Sequence, residues 1–142
     1  MVMFILSLVT IAALPVNKWL RSQGVKLATE QLRGDLQLAR LMAIKHRKSC
    51  SIEVNTPSIN RYSNSLSHQM VDLAAYRGGV HFMTKGPGGG VASKTITFNR
   101  RGMAMSIGSI FLSDMDGSNI FRVRAMPPGG ISVFRWSGNG WK

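Results

Sequence analysis

VKLATEQLRGDLQLARLMAIKHRK, residues 25–48, reads as a helix with one apolar face. Val25, Ala28, Leu32, Leu36, Ala39 and Ala43 step by 3, 4, 4, 3 and 4 residues, the spacing of a single stripe on an α-helix. Leu27, Leu38, Leu41 and Met42 are expected to widen that stripe, with Lys26, Arg33, Arg40 and Lys45 facing outward. KHRK at 45–48 suits a helix C-terminus, where cations meet the negative end of the dipole. Gly24 and Gly34 each weaken a helix by about 1 kcal/mol relative to alanine, so they mark flexibility or close packing. The expectation is a helix lying on a second layer, with Leu32, Leu36, Ala39 and Ala43 buried against it.

Working back toward the start, MVMFILSLVTIAALPVNKW (1–19) carries no charge before Lys18. Ser7 and Thr10 can bond back to their own helix, and Pro15 removes one hydrogen bond and introduces a kink without forbidding the helix. The 17 residues before Lys18 reach about 25 Å as a helix, against about 30 Å of hydrocarbon, so anchor, signal peptide and buried core helix all stay open at this point. A cleaved signal on a soluble basic protein is the weaker option, because no small-residue cleavage site is evident and the helical pattern continues past Pro15. Joined to residues 25–48, the helix would run for most of the first third of the chain. That is longer than a small domain can bury, so its first part must find lipid or other subunits.

Forward of Lys48 the period changes from 3.6 to 2. Strand-like runs SCSIEV, MVDLAAY, VHFM, KTITF, GSIFLSD, NIFRVRAM and GISVFRW are separated by turn residues, with NRYSNSLSHQ standing as a polar stretch between the first two. Many short strands at this spacing make the C-terminal part an antiparallel sheet or small sandwich, and the fold class α+β. The 142 residues then divide into 1–24, a hydrophobic N-terminal helix, and 25–142, a globular head that includes the amphipathic half of the helix.

Charge bounds the partners. Lys and Arg total 18 against 6 Asp and Glu, a formal net charge of +12, which attracts polyanions, acidic lipid or an acidic protein surface. The excess is spread evenly: residues 17–48 hold eight basic and two acidic side chains, and residues 49–142 hold ten and four. Cys50 is the single cysteine, so no intrachain disulfide can form, and a small buried residue is its simplest role. His46, His68 and His81 are scattered, and no HExxH, GxSxG or paired-carboxylate spacing occurs, so no catalysis, cofactor, metal or small-molecule substrate is expected. DMDGSN (114–119) fails calcium-loop spacing, with Ala125 where the closing Glu should stand, and reads as a hairpin turn. KGPGGG (85–90) lacks the Lys and Ser/Thr of a phosphate loop and reads as a mobile loop.

The order of apolar helix with a proline near its exit, amphipathic helix and β-rich head resembles the type IV pilin-like proteins, specifically the GspH/FimT group of minor pilins and pseudopilins. LPVNKWL at 14–20, QLRGDLQLARLMAIKH at 31–46, SIEV at 51–54, ITFNRRGMA at 96–104 and GSIFLSD at 108–114 carry the resemblance, which extends over almost the whole chain. It implies that Phe4, Ile5, Leu6, Leu8, Ile11, Leu14 and Pro15 belong to a helix that anchors the chain in the bacterial inner membrane before assembly and packs into a filament core afterwards. Other pilin or pseudopilin subunits are then its partners. Members of the group carry a basic leader and a Phe-Thr-Leu-Ile-Glu-Leu run that this sequence lacks, so Met1 is expected about seven residues inside the mature chain, which would lengthen the span to about 24 residues. Lys18 and Arg21 alone would place the C-terminal side in the cytoplasm, whereas the resemblance places the head outside, with the leader supplying the competing charges.

A second class of function rests on arginines. In NIFRVRAM, Arg122 and Arg124 alternate with Phe121 and Val123, so two guanidiniums are expected to point together into solvent; Arg100 and Arg101 sit in a turn, and Arg135 lies between Phe134 and Trp136. Such a set could hold DNA through its phosphates and stack its bases, against the plainer reading of a solvated basic strand face. Some members of the group bind DNA through a Gly-Arg-x-Arg motif; here Gly130 is followed by Ile131 and Val133 where those arginines would fall. The reading adopted is a non-enzymatic subunit of a type IV pilus or type II secretion pseudopilus that helps assemble or prime the filament. A DNA receptor for natural transformation is the alternative.

Overall fold

A computed structural model describes residues 2–56 and 58–142, with the side chains of the first helix from Val16 onward. The first element, α1, spans Val2–His46. It ends where Arg47 enters the left-handed region (φ 51°). The Arg47 N–H then donates to the Ile44 carbonyl at 3.3 Å and the Lys48 N–H to the Ala43 carbonyl at 3.2 Å, which satisfies two carbonyls that the helix leaves unpaired. Lys45 and His46 occupy the last turn, at the negative end of the dipole. Among the described residues no helix is long and apolar enough to cross a membrane. The side chains of Phe4, Ile5, Leu6, Leu8, Ile11, Leu14 and Pro15, which carry the anchor expectation, lie outside the described residues.

Eight strands follow: β1 Cys50–Val54, β2 Arg61–Asn64, β3 Met70–Asp72, β4 His81–Met83, β5 Thr95–Phe98, β6 Gly108–Ser113, β7 Ile120–Ala125 and β8 Ile131–Arg135. They form two four-stranded antiparallel sheets, in the orders β3-β2-β1-β5 and β4-β6-β7-β8. The sheets are tied at Ser93, whose N–H donates to the Ser109 carbonyl (2.8 Å) while its hydroxyl accepts from the Ser109 N–H (3.2 Å). The second half of α1 packs across both, meeting β1 and β5 of one sheet and β6, β7 and β8 of the other.

The polar stretch NRYSNSLSHQ contains β2, which alternation of apolar residues did not reveal. Tyr62 and Asn64 point inward there while Arg61 and Ser63 are half-exposed. Asn64 is tolerated in the interior because its side-chain Oδ1 is fully used: it accepts from Leu66 N (2.9 Å), Ser67 N (3.2 Å) and the Cys50 thiol (3.2 Å). MVDLAAY is strand only to Asp72. The Asp72 carboxylate caps the Ala74 N–H at 2.9 Å and turns the chain into a short 3-10 segment, Leu73–Ala75.

The core gathers Val25, Leu32, Leu36 and Ala39 of α1 with Ile52, Tyr62, Phe98, Ile110, Leu112 and Val123. Each fully buried leucine of this kind contributes about 1.5–3 kcal/mol relative to exposure. Tyr62 keeps its polar end satisfied by donating to the Asp35 carboxylate. Its burial, and then that bond, hold the hydroxyl protonated well above the usual tyrosine range.

Candidate functional site

Two faces of α1 matter. Leu32, Leu36, Ala39 and Ala43 have no exposed surface at all and lie against the sheets. Leu27, Leu38 and Leu41 do not widen that stripe: they are 60%, 43% and 62% exposed. Nine residues separate Leu27 from Leu36, and at about 100° per residue this is a half-turn, so the same helix carries apolar residues on its outer face as well. Val16 and Trp19 continue the outer row toward the N-terminus. Gly34 sits in this row, and a Cβ added to it would meet nothing within 4 Å. Of the four cations expected to face outward, Lys26 and Lys45 do. Arg33 is half-buried and reaches Glu30 at 3.7 Å, and Arg40, also half-buried, donates from Nε to the Gly102 carbonyl at 2.9 Å.

The head grips α1 again nearer its start. A Cβ on Gly24 would collide with the Arg77 carbonyl oxygen, so this glycine is a point of close packing. Gly78, at φ +93°, brings the same loop over Arg21. Arg21 Nη1 also pairs with Asp116 Oδ2 at 2.7 Å. The turn that carries Asp116 is DMDGSN, built around Asp114: its carboxylate accepts from the Ser118 N–H (2.9 Å) and the Asn119 side chain (2.9 Å). These bonds occupy a carboxylate that is 2% exposed, which explains its burial without a metal. Among the described residues no group of three or more His, Cys, Asp or Glu could hold a metal ion. A cleft of about 390 Å³ lies between this turn and Lys18, Trp19, Arg21 and Ser22.

The five arginines do not form one patch. Arg122 and Arg124 share the face of β7 turned away from the buried Val123 and Ala125, but they do not stand free in solvent. Arg122 lies between the rings of Phe134 and Trp141, 4.6 Å from each centroid. That position lets the cation interact with two π faces at once. The Nε atoms of both arginines are buried without a partner. Burial, and then the charge of Arg124, lower the Arg122 pKa from its ordinary value. Arg135 is paired with Phe121, so it falls on the opposite face, where it donates to Asn119 at 3.0 Å. Arg100 and Arg101 are exposed in a turn held by Asn99, whose side-chain Oδ1 accepts from Arg101 N (2.9 Å) and Met103 N (3.1 Å). That turn abuts the β7–β8 connection at Gly129. Arg135, by contrast, lies four residues along the β7–β8 pair from its Ala125–Ile131 end, or about 13 Å.

The aromatic bracket was not visible in the sequence, because Trp141 reaches Arg122 only after the chain folds back. Trp136 pairs with Trp141, and backbone bonds of 2.8 and 2.9 Å join Arg135 to Lys142. Trp141 also stacks near Phe111, which is buried on this outer face beneath Gly86 and Gly90 of KGPGGG. The loop is closed by a bond from Gly86 N to the Gly90 carbonyl at 2.8 Å.

Residues 28–129 match the family model described as type II transport protein GspH. Among solved structures, the chain is similar to the type IV minor pilin FimU of Pseudomonas aeruginosa, with a TM-score of 0.58 at 18% identity. The likeness covers 83% of this chain and 92% of that one, and at this identity it speaks to the fold. No curated protein matches the sequence.

Proposed function

Because the chain belongs to the GspH family, we propose that it is a minor pilin or pseudopilin, a non-enzymatic subunit that helps assemble or prime a type IV pilus or type II secretion filament. The observation that carries this reading is the outer row of α1, where Val16, Leu27, Leu38 and Leu41 are exposed outside the stripe that the head covers. A row of this kind on a helix already buried along its other face calls for a second helix. Residues 1–24 would hold the chain in the inner membrane before assembly, with the head outside, and then enter the filament core. Moving a helix from lipid to protein gains little hydrophobic energy, so close packing and charge pairing select the assembled state. Gly34 suits such packing, since it leaves the outer face open to a neighbour's backbone.

The test is incorporation in cells. Leu27→Glu with Leu38→Glu should leave the head resistant to protease and remove the chain from sheared filaments or the secretion complex. Lys26→Glu, also on the exposed helix surface, should incorporate normally. Wild-type incorporation of the double variant sinks the reading.

DNA reception is a second reading, favoured by one observation: no acidic side chain pairs with Arg122 or Arg124 among the described residues, so neither charge is neutralised within the head. Arg100 and Arg101 would extend a phosphate track from the Arg124 end, whereas Arg135 faces elsewhere. In a gel-shift series with the full chain in mild detergent at about 0.1 M salt, Arg124→Ala should weaken binding and reduce its salt dependence. No shift, or a shift unchanged by Arg124→Ala, removes this reading.

A further inference from the structure

We propose that the end of the head beside Lys18 and Trp19 is a docking surface for anionic phospholipid headgroups. This rests on the reading of the N-terminal segment as a membrane anchor. If that segment lies in hydrocarbon, Lys18 and Trp19 mark its exit, the depth at which tryptophan and basic residues favour the interface. Arg21 follows about 4.5 Å further along the helix, whereas the headgroup layer on each side is about 5–8 Å thick. The turn that Arg21 holds through Asp116 therefore sits in that layer.

The surface presented there has the composition the layer selects. Met115, at the tip of the turn, is 68% exposed, and Trp19 is 60% exposed. A shallow cleft of about 670 Å³ continues from Gly117 and Ser118 to the exposed Arg135 and Lys142. It adjoins the cleft at Lys18, since Ser118 lines both. Both acidic side chains in this region are already used: Asp114 is buried in its own turn and Asp116 is paired with Arg21. None of Lys18, Arg135 and Lys142 pairs with an acidic side chain among the described residues. Three cations without an acidic side-chain partner, flanking an exposed methionine and tryptophan, complement a layer of phosphates over hydrocarbon, and each is worth about fivefold in docking at an anionic surface. Leaving the membrane for the filament would then require breaking this contact, which makes it a restraint on extraction.

The experiment uses the full chain reconstituted in vesicles of phosphatidylcholine, with or without about 30% phosphatidylglycerol. A bimane is placed on Met115→Cys, or on Met105→Cys at an exposed site in the far loop; Cys50 is buried and stays unlabelled. Headgroup spin-labelled lipid should quench the Met115 probe, more strongly with phosphatidylglycerol, and spare the Met105 probe. Arg135→Gln with Lys142→Gln should lower the docking equilibrium about 25-fold and return the Met115 probe to its phosphatidylcholine value. Arg100→Gln with Arg101→Gln, an equal change in net charge, should not. Equal quenching at both probes, indifference of the Met115 probe to phosphatidylglycerol, or an equal effect of the two double substitutions overturns the proposal. Alkaline carbonate treatment separates the layers of the reasoning. A chain that is extracted overturns the anchor reading and the docking with it; a chain that resists extraction while its Met115 probe stays unquenched overturns the docking alone.

Discussion

Gly24→Ala and Gly34→Ala make the same chemical change ten residues apart in one helix, and only the second should stabilise the chain. Alanine is preferred to glycine inside a helix by about 1 kcal/mol at either position. At Gly34 nothing lies within 4 Å of the added methyl, so the whole preference should appear as stabilisation of about 1 kcal/mol. At Gly24 the methyl meets the carbonyl oxygen of Arg77, which belongs to backbone and cannot rotate aside. The loop has little room to retreat along the helix, since Gly78 already approaches the Arg21 backbone so closely that a Cβ there would come within 3.0 Å of its Cα. Overpacking of this kind costs about 1–3 kcal/mol, which cancels or exceeds the helical gain. The intrinsic preference is common to both variants, so the gap between them measures the packing cost itself, and for a domain of this size it corresponds to at least about 3 °C in melting temperature. Thermal and urea unfolding of the full chain in mild detergent, followed by tryptophan fluorescence, would read it. Equal stabilisation by the two substitutions would refute the claim that the Arg77 loop clamps α1 at Gly24.

Three further outcomes follow from the packing and electrostatics. Leu36→Ala should destabilise the chain by about 2–5 kcal/mol in urea unfolding, whereas Leu38→Ala, on the outer face, should change it by less than about 0.5 kcal/mol. Trp141→Ala removes one of the two rings that bracket Arg122 and should cost about 1–2 kcal/mol beyond the loss of its contact with Phe111; an Arg122→Ala, Trp141→Ala double-mutant cycle should return a coupling of that sign. Asp72 is held below its ordinary value of 3.8 first by the Ala74 N–H and then by Arg61. Its folded pKa is depressed, so its contribution is present above the unfolded value and is lost as pH falls through the folded one; Asp72→Asn should flatten the acid limb of the stability profile below about pH 4.

The legible part of the fold was periodic. The 3-4-4-3-4 spacing from Val25 to Ala43 and the run of short apolar strands after Cys50 sufficed for a long helix on an antiparallel β-rich head. Two things escaped. The β2 strand hides in NRYSNSLSHQ because one of its inward positions is Asn64, which is tolerable there only through hydrogen bonds that form after the turn at Leu66 and Ser67 closes. Apolar character alone groups Leu27, Leu38 and Leu41 with the buried stripe. The half-turn between Leu27 and Leu36 was the available signal that they belong to another surface. The basic residues were the least legible, because charge in a sequence has no direction: strand register puts Arg135 and Arg122 on opposite faces, and only the folded-back Trp141 brackets the latter.

Cysteine crosslinking in assembled filaments bears most directly on the outer row of α1 as the subunit contact. Leu27→Cys and Leu38→Cys, each carrying a benzophenone maleimide and irradiated in sheared filaments or in the secretion complex, should give adducts between this chain and other subunits, since the excited ketone inserts into a neighbour's C–H bond and needs no second thiol. Lys26→Cys, exposed about 100° round the helix from Leu27, and the native chain with its buried Cys50 should give none. Adducts absent at Leu27 and Leu38 in a chain that is nonetheless incorporated would contradict the account.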